Sequence, residues 1–131
     1  ILDGGSGNDT LIGGAGSDNL TGGAGVDTFI YTILGESAGL NIDTITDFLI
    51  GADKIDLSAI DANTGVAGNQ AFTFIGNVAF TGTAGEVRFF TSGADVIVQV
   101  EIHGDGNQTA DMEIQLTGAA AVGINASDFI L

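Results

Sequence analysis

A nine-residue unit runs three times in tandem, and in register, through the opening of this chain. The copies read Gly4-Gly-Ser-Gly-Asn-Asp-Thr-Leu-Ile12, Gly13-Gly-Ala-Gly-Ser-Asp-Asn-Leu-Thr21 and Gly22-Gly-Ala-Gly-Val-Asp-Thr-Phe-Ile30. Each obeys G-G-x-G-x-D-x-U-x, where U is large and apolar. A fixed short period of this kind is the mark of a chain that stacks repeating coils. The glycines tolerate a backbone with φ > 0, so six residues can turn tightly. The other three are extended and point one apolar side chain inward: Leu11, Leu20 and Phe29. One unit makes half a coil and two make a full coil.

Residues eighteen apart therefore stack on one edge, separated by the strand spacing of about 4.8 Å. A cation lying between two such turns can reach both, since calcium–oxygen bonds run about 2.3–2.6 Å. Asp9 and Asp27 are expected to share one calcium, with main-chain carbonyls of Gly4, Ser6, Gly23 and Gly25 as further hard ligands. On the other edge Asp18 is expected to stack with Glu36, eighteen residues later, with Gly13 and Ala15 contributing carbonyls. The glycines are gone before Glu36, so its longer side chain would have to reach the ion. Asp43, seven residues on, is a further candidate ligand. Ile1-Leu2-Asp3 fits the last three positions of a preceding unit, so the chain is expected to begin inside a repeat and to be part of something longer.

Seventeen acidic residues face only Lys54 and Arg88, for a net charge of −15. That balance argues against binding nucleic acid or an anionic membrane through a basic patch. With 44% hydrophobic residues the chain is not merely disordered. There is no cysteine, so a metal is the expected staple. No stretch approaches the ~20 apolar residues of a membrane-spanning helix, and membrane insertion is not expected.

After about residue 37 the glycine period gives way to alternation. Val96, Val98, Val100 and Ile102 share one face of a strand over 95–102, and Met112, Ile114 and Leu116 one face over 112–116. Strands are also expected at 72–75 and 86–90. Two short strands should flank a Gly51 turn, with a helical turn after Asp56. Glycine-rich breaks at 65–68, 82–85 and 118–123 read as loops. The architecture expected is all-β: a short parallel β-roll over 1–36, capped over 37–131 by an antiparallel, sandwich-like β region. A cap is required because an open roll end exposes unpaired backbone and apolar side chains.

Three further patterns carry possible chemistry. Gly35-Glu-Ser-Ala-Gly39 matches the G-x-S-x-G nucleophile elbow, but that motif needs a strand–turn–helix inside an α/β sheet. A turn leaving the roll is the better reading of Ser37. His103 is the only histidine, so no H-E-x-x-H zinc motif exists in this chain; it is expected in a solvated loop. Glu101, His103, Asp105, Asn107, Thr109 and Asp111 alternate in a way that loosely echoes a calcium loop. A plain hairpin loop is favoured there, with a weak calcium site at Glu101, Asp105, Asn107 and Asp111 as the alternative.

The repeats, followed by Asp27-Thr-Phe-Ile-Tyr31, Asp43-Thr-Ile-Thr-Asp-Phe48, Gly51-Ala-Asp-Lys-Ile-Asp-Leu-Ser58 and the closing Asp128-Phe-Ile-Leu131, resemble the C-terminal domain of serralysin-type metalloproteases, a module shared by many RTX proteins. The resemblance implies a non-catalytic, calcium-binding module of a larger bacterial protein. It implies folding on calcium after type I secretion and an extracellular location. It implies that Asp128, Phe129, Ile130 and Leu131 are read by the exporter as a secretion signal. It also implies that an acidic pair seven apart after the last repeat, here Glu36 and Asp43, binds calcium. Any catalytic domain would lie upstream. The alternative is a calcium-stabilised polysaccharide-binding or adhesive module like those of alginate epimerases; exposure of Tyr31, Phe80 and Phe90 on one face would favour it.

Overall fold

The computed structural model describes residues 1–106, 108–119 and 123–131. It is almost entirely β. The strands are β1 (Leu2–Asp3), β2 (Thr10–Leu11), β3 (Asn19–Thr21), β4 (Thr28–Ile30), β5 (Asp43–Ile45), β6 (Lys54–Asp56), β7 (Thr73–Gly76), β8 (Glu86–Ser92), β9 (Asp95–Glu101), β10 (Met112–Leu116) and β11 (Phe129–Ile130). They form one seven-stranded sheet, β1-β3-β5-β10-β9-β8-β7, and one four-stranded sheet, β11-β6-β4-β2. Successive half-coils alternate between the sheets. No helix among the described residues is long and apolar enough to cross a membrane.

The register shows why the apolar residue of each repeat sits where it does. Leu2 pairs with Leu20, Leu20 with Ile45, Ile45 with Leu116 and Leu116 with Val96 across the larger sheet. In the smaller sheet Leu11 pairs with Phe29, Phe29 with Ile55 and Ile55 with Phe129. These inward ladders meet in a single core, with Phe29, Ile45, Ile55, Ile114 and Leu116 fully buried. Strands of two or three residues are too short to be stable alone. They hold because each adds one large side chain to a continuous ladder.

Parallel stacking runs past the expected roll boundary at residue 36. β5 pairs in parallel with β3, and β6 with β4. The two strands around Gly51 thus lie in opposite sheets rather than forming a hairpin. The chain after Asp56 makes a turn at 58–59, not a helix. The region expected to be antiparallel is mixed. β8–β9–β10 is an antiparallel meander, but β7 joins β8, β10 joins β5 and β11 joins β6 in parallel. The expected long strands are present: 95–101 and 112–116 alternate buried and half-buried residues as anticipated. Of the glycine-rich 118–123 break, 120–122 lie outside the described residues.

Phe29 has no exposed surface and sits between Leu11 and Ile55. Replacing it with alanine should cost about 3–5 kcal/mol in chemical denaturation of the metal-loaded protein. Ile12→Ala, one residue beyond the ladder and half exposed, should stay within about 0.5 kcal/mol of the parent.

Candidate metal centre

Positions two and four of every repeat adopt positive φ: Gly5 and Gly7, Gly14 and Gly16, Gly23 and Gly25. The turns of the first and third units then lie close enough to bond to each other. Gly7 N–H donates to the Ala24 carbonyl and Ala24 N–H to the Gly5 carbonyl, both at 2.8 Å. A side chain at Gly25 would collide with the Gly7 carbonyl. The first glycine of each unit has a different task. A Cβ on Gly4 would lie 2.7 Å from the Gly22 carbonyl oxygen and 2.9 Å from Asp9 Oδ2. On Gly13 it would lie 3.1 Å from Asp43 Oδ2 and 3.4 Å from Asp18 Oδ2. On Gly22 it would fall on the Asp27 carboxylate. The space a Cβ would fill is where oxygens converge.

The aspartates form ladders of their own, two residues before the apolar ones. Asp9 N–H donates to Asp27 Oδ1 at 2.9 Å, and Asp27 N–H to Asp53 Oδ1 at 2.9 Å. On the opposite edge Asp18 N–H donates to Asp43 Oδ1 at 2.8 Å. Asp27, Asp43 and Asp53 thus each spend one carboxylate oxygen on the backbone of the preceding coil. The second oxygens of Asp9, Asp27 and Asp43 are buried and accept no hydrogen bond. A buried acceptor without a donor costs about 1–3 kcal/mol, more when charged. Three such oxygens, facing glycine-emptied space, fit a hard cation. The donor set is all oxygen.

Asp9 and Asp27 therefore come together as expected, and Asp18 meets Asp43. Glu36 does not take the stacked place opposite Asp18. Without glycines at 31–34 the chain forms a 3-10 turn over Leu34–Ser37, and the in-register strand arrives only at Asp43. Both Glu36 oxygens are held by Thr32, at 2.8 Å by its N–H and 2.7 Å by its hydroxyl. Asp53 was not anticipated. It is buried, and its second oxygen accepts Leu49 N–H at 2.8 Å. The signal was available: Asp43-Thr-Ile45 and Asp53-Lys-Ile55 keep the D-x-U spacing after the glycines have gone. Asp47 was missed too; it accepts N–H bonds from Gly22 and Gly23 at 2.9 and 2.8 Å, tying the third turn in place.

Burial, reinforced by the charge of Asp18, pushes the Asp43 carboxyl up to about 6, although the Asp18 N–H and the neighbouring Tyr31 hydroxyl oppose the shift. Beside it the Tyr31 phenol is fully buried, and burial together with the Asp43 charge raises it far above its ordinary value.

The other sequence candidates resolve clearly. Ser37 is fully buried; its hydroxyl donates to the Glu113 carbonyl and accepts Asp43 N–H at 2.8 Å. It is a bracket between β5 and β10, not a nucleophile. Asp128 is fully buried, accepting N–H bonds from Gly51 and Asn125 at 2.8 Å each. Phe129 is buried against Phe74, with ring centroids 5.2 Å apart. Ile130 is partly exposed and Leu131 packs against the core. The four final residues are thus built into the fold. His103 is exposed, as expected, but not free: its Nδ1 lies 2.9 Å from Asp111 Oδ1. Glu101 is buried and Asp105 exposed, while Asn107 lies outside the described residues.

A family model described as "Peptidase M10 serralysin C terminal" matches residues 2–131. The chain belongs to the serralysin C-terminal family. It is 40% identical over 95 residues to Metalloprotease AprA of Pseudomonas entomophila, covering 72% of this chain and 19% of that protein. It is 35% identical over 104 residues to Serralysin A of Dickeya chrysanthemi, covering 79% of this chain and 20% of that protein. The chain thus spans about a fifth of the length of these relatives. Two solved structures share the fold: the AlgE6R3 subunit of the Azotobacter vinelandii mannuronan C5-epimerase, with TM-score 0.62, 28% identity and coverage of 97% of this chain and 65% of that one, and the AlgE6R2 subunit, with TM-score 0.64, 29% identity and coverage of 95% and 71%. The serralysin module is a non-catalytic, RTX-type part of extracellular proteins, and this chain is one of them.

Ser37→Ala would leave the Asp43 N–H and the Glu113 carbonyl without their buried partner. A loss of about 1–3 kcal/mol in denaturation midpoint analysis is expected, with ester hydrolysis at background level in both proteins.

Proposed function

We propose that this chain binds calcium between its stacked turns and that the ion is the staple of its fold. The observation that carries this reading is the set of buried, donorless oxygens on Asp9, Asp27 and Asp43, set against glycines whose missing side chains leave room for an ion. One site uses Asp9 and Asp27 with carbonyls of Gly4, Ser6, Gly23 and Gly25. The other uses Asp18 and Asp43 with carbonyls of Gly13 and Ala15, while Glu36 adds negative charge beside Asp43. Calcium takes six to eight such oxygens and neutralises the repulsion among them. Because the sites do not exist in the unfolded chain, binding free energy is folding free energy.

From this follows the role. In a calcium-poor cytosol the carboxylates hold the chain open; in a calcium-rich exterior it folds. The module belongs to a longer exported protein whose activity resides in an upstream domain, as the much longer metalloprotease relatives suggest. The type I exporter reads Asp128–Leu131 as the secretion signal, and reads it before folding, since Asp128 and Phe129 are buried in the finished fold. The second reading, contact with polysaccharide, draws on the epimerase subunits alone. The aromatic face that would have favoured it is not formed, because Tyr31 and Phe80 are buried.

Circular dichroism in excess chelator is expected to show little β signal, with full gain on adding millimolar calcium. A spectrum unchanged by chelator would refute the proposal. Asp27→Asn should weaken calcium affinity at least about tenfold by calorimetry, because it removes the charge of one shared ligand.

The pH dependence has a defined sign. Asp43 in the metal-free fold holds its proton up to about 6, above its ordinary 3.8. Its ionisation therefore costs the metal-free fold stability as pH rises through that window, and the proton competes with calcium. Starting from the unfolded metal-free chain, where Asp43 has its ordinary value of 3.8, apparent calcium affinity should climb to about pH 5 and then level, and a climb that continues to about pH 6 would mean that the metal-free chain is already folded. In Asp43→Asn, any climb contributed by this group should disappear.

Deleting Asp128–Leu131 should abolish export from cells carrying a matching exporter. Normal secretion of the truncated chain would remove the signal from this tail.

A further inference from the structure

The loop from β9 to β10 holds a donor set of another kind, remote in sequence from the stacked turns. Glu101 ends β9 and is 3% exposed. Its Oε1 accepts the backbone N–H groups of His103 and Gly104, both at 2.7 Å. Its Oε2 is buried and, among the described residues, accepts nothing. Asp111, just before β10, uses Oδ2 to accept Ile102 N–H at 2.9 Å. That leaves Oδ1 facing His103 Nδ1 at 2.9 Å. Ligand atoms of all three side chains lie within 4.8 Å of one another.

We propose that Glu101, His103 and Asp111 form a site for a divalent transition-metal ion of the zinc class, held through His103 Nδ1 and the two carboxylates. A hydrogen bond from His103 to Asp111 accounts for two members of the cluster. It does nothing for Glu101 Oε2, which has been taken out of water and given no donor. A cation bridging the three satisfies it. The nitrogen decides the class of metal. Calcium is bound through hard oxygens, whereas imidazole with carboxylate suits zinc, cobalt or nickel. The ring is 55% exposed, which leaves an entry path and room for water in the remaining coordination positions.

The cluster differs from the calcium loop that the alternating acids suggest. That loop needs Asp105 and Asn107; this one needs the histidine. It joins the end of β9 to the residue before β10, so a bound ion would clamp the intervening loop in a chain that has no disulfide to do so.

The test uses the whole chain saturated with calcium, titrated with cobalt(II) or zinc(II) as the only transition metal. One ion is expected to bind, with visible cobalt absorption and no displacement by millimolar calcium. Nitrogen chemical shifts should place it on Nδ1, with Nε2 protonated. His103→Gln alters an exposed side chain, so calcium-induced folding should be unchanged while cobalt affinity falls about tenfold or more. Glu101→Gln should weaken binding too, and if it fails to fold, His103→Gln alone decides. The proposal is overturned by an absence of binding, by binding undiminished in His103→Gln, by displacement by calcium, or by coordination at Nε2, which is ordinary surface-histidine behaviour. Calcium-induced folding is read separately, so this site can fail without touching the stacked turns.

Discussion

The structure depends on a carboxylate that faces two ways. Asp27 and Asp43 each give one oxygen to the backbone of the preceding coil and hold the other in a space kept open by glycine. The first contact sets register, since Asp27 can reach Asp9 N–H only when the coils are aligned. The second accumulates negative charge along an edge. The same residue therefore specifies the fold and opposes it. Hydrogen bonds to a carboxylate are among the stronger ones, yet a row of unneutralised acids is unstable in so small a core. The cation proposed above would reconcile these demands.

The polar ladder is tied to the apolar one by a spacing of two. Asp9 precedes Leu11, Asp18 precedes Leu20, Asp27 precedes Phe29, and the rule persists at Asp43–Ile45 and Asp53–Ile55. In an extended segment, residues two apart share a face and its direction. A slip of one residue would expose the core ladder and break the acid ladder together. Ser37 and Asp47 reinforce the arrangement from outside the repeats, the first joining β5 to β10 and the second gripping the Gly22-Gly23 turn. The cap is thus an extension of the same two sheets.

Much of this could be read from the chain. The nine-residue period locates Leu11, Leu20 and Phe29 in the core and pairs Asp9 with Asp27, because a regular period admits one stacking. Alternation finds β9 and β10 for the same reason. The reading fails where the period ends. Counting eighteen from Asp18 reaches Glu36, but without glycines the chain takes a 3-10 turn and seven more residues before Asp43 falls into line. A loop of irregular length carries no spacing signal, so the parallel partners of β5 and β6 were not visible. The parallel pairings of β7, β10 and β11 were hidden likewise, since alternation reports that a strand is half buried and says nothing of its neighbour's direction. The Glu101–His103–Asp111 cluster depends on loop geometry that residue types alone do not fix.

The last strand has a consequence for how this shape can be reached. β11 closes the smaller sheet against β6, and β10 joins β5, in both cases across a long stretch of chain. Such pairings give a high contact order, and loop-closure entropy must be met before they return any stability. A growing or threaded chain leaves the β5 edge uncovered until β10 is free and the β6 edge uncovered until β11 is free. Closure of both sheets is therefore late, and a chain lacking β11 keeps β6 as an open sheet edge.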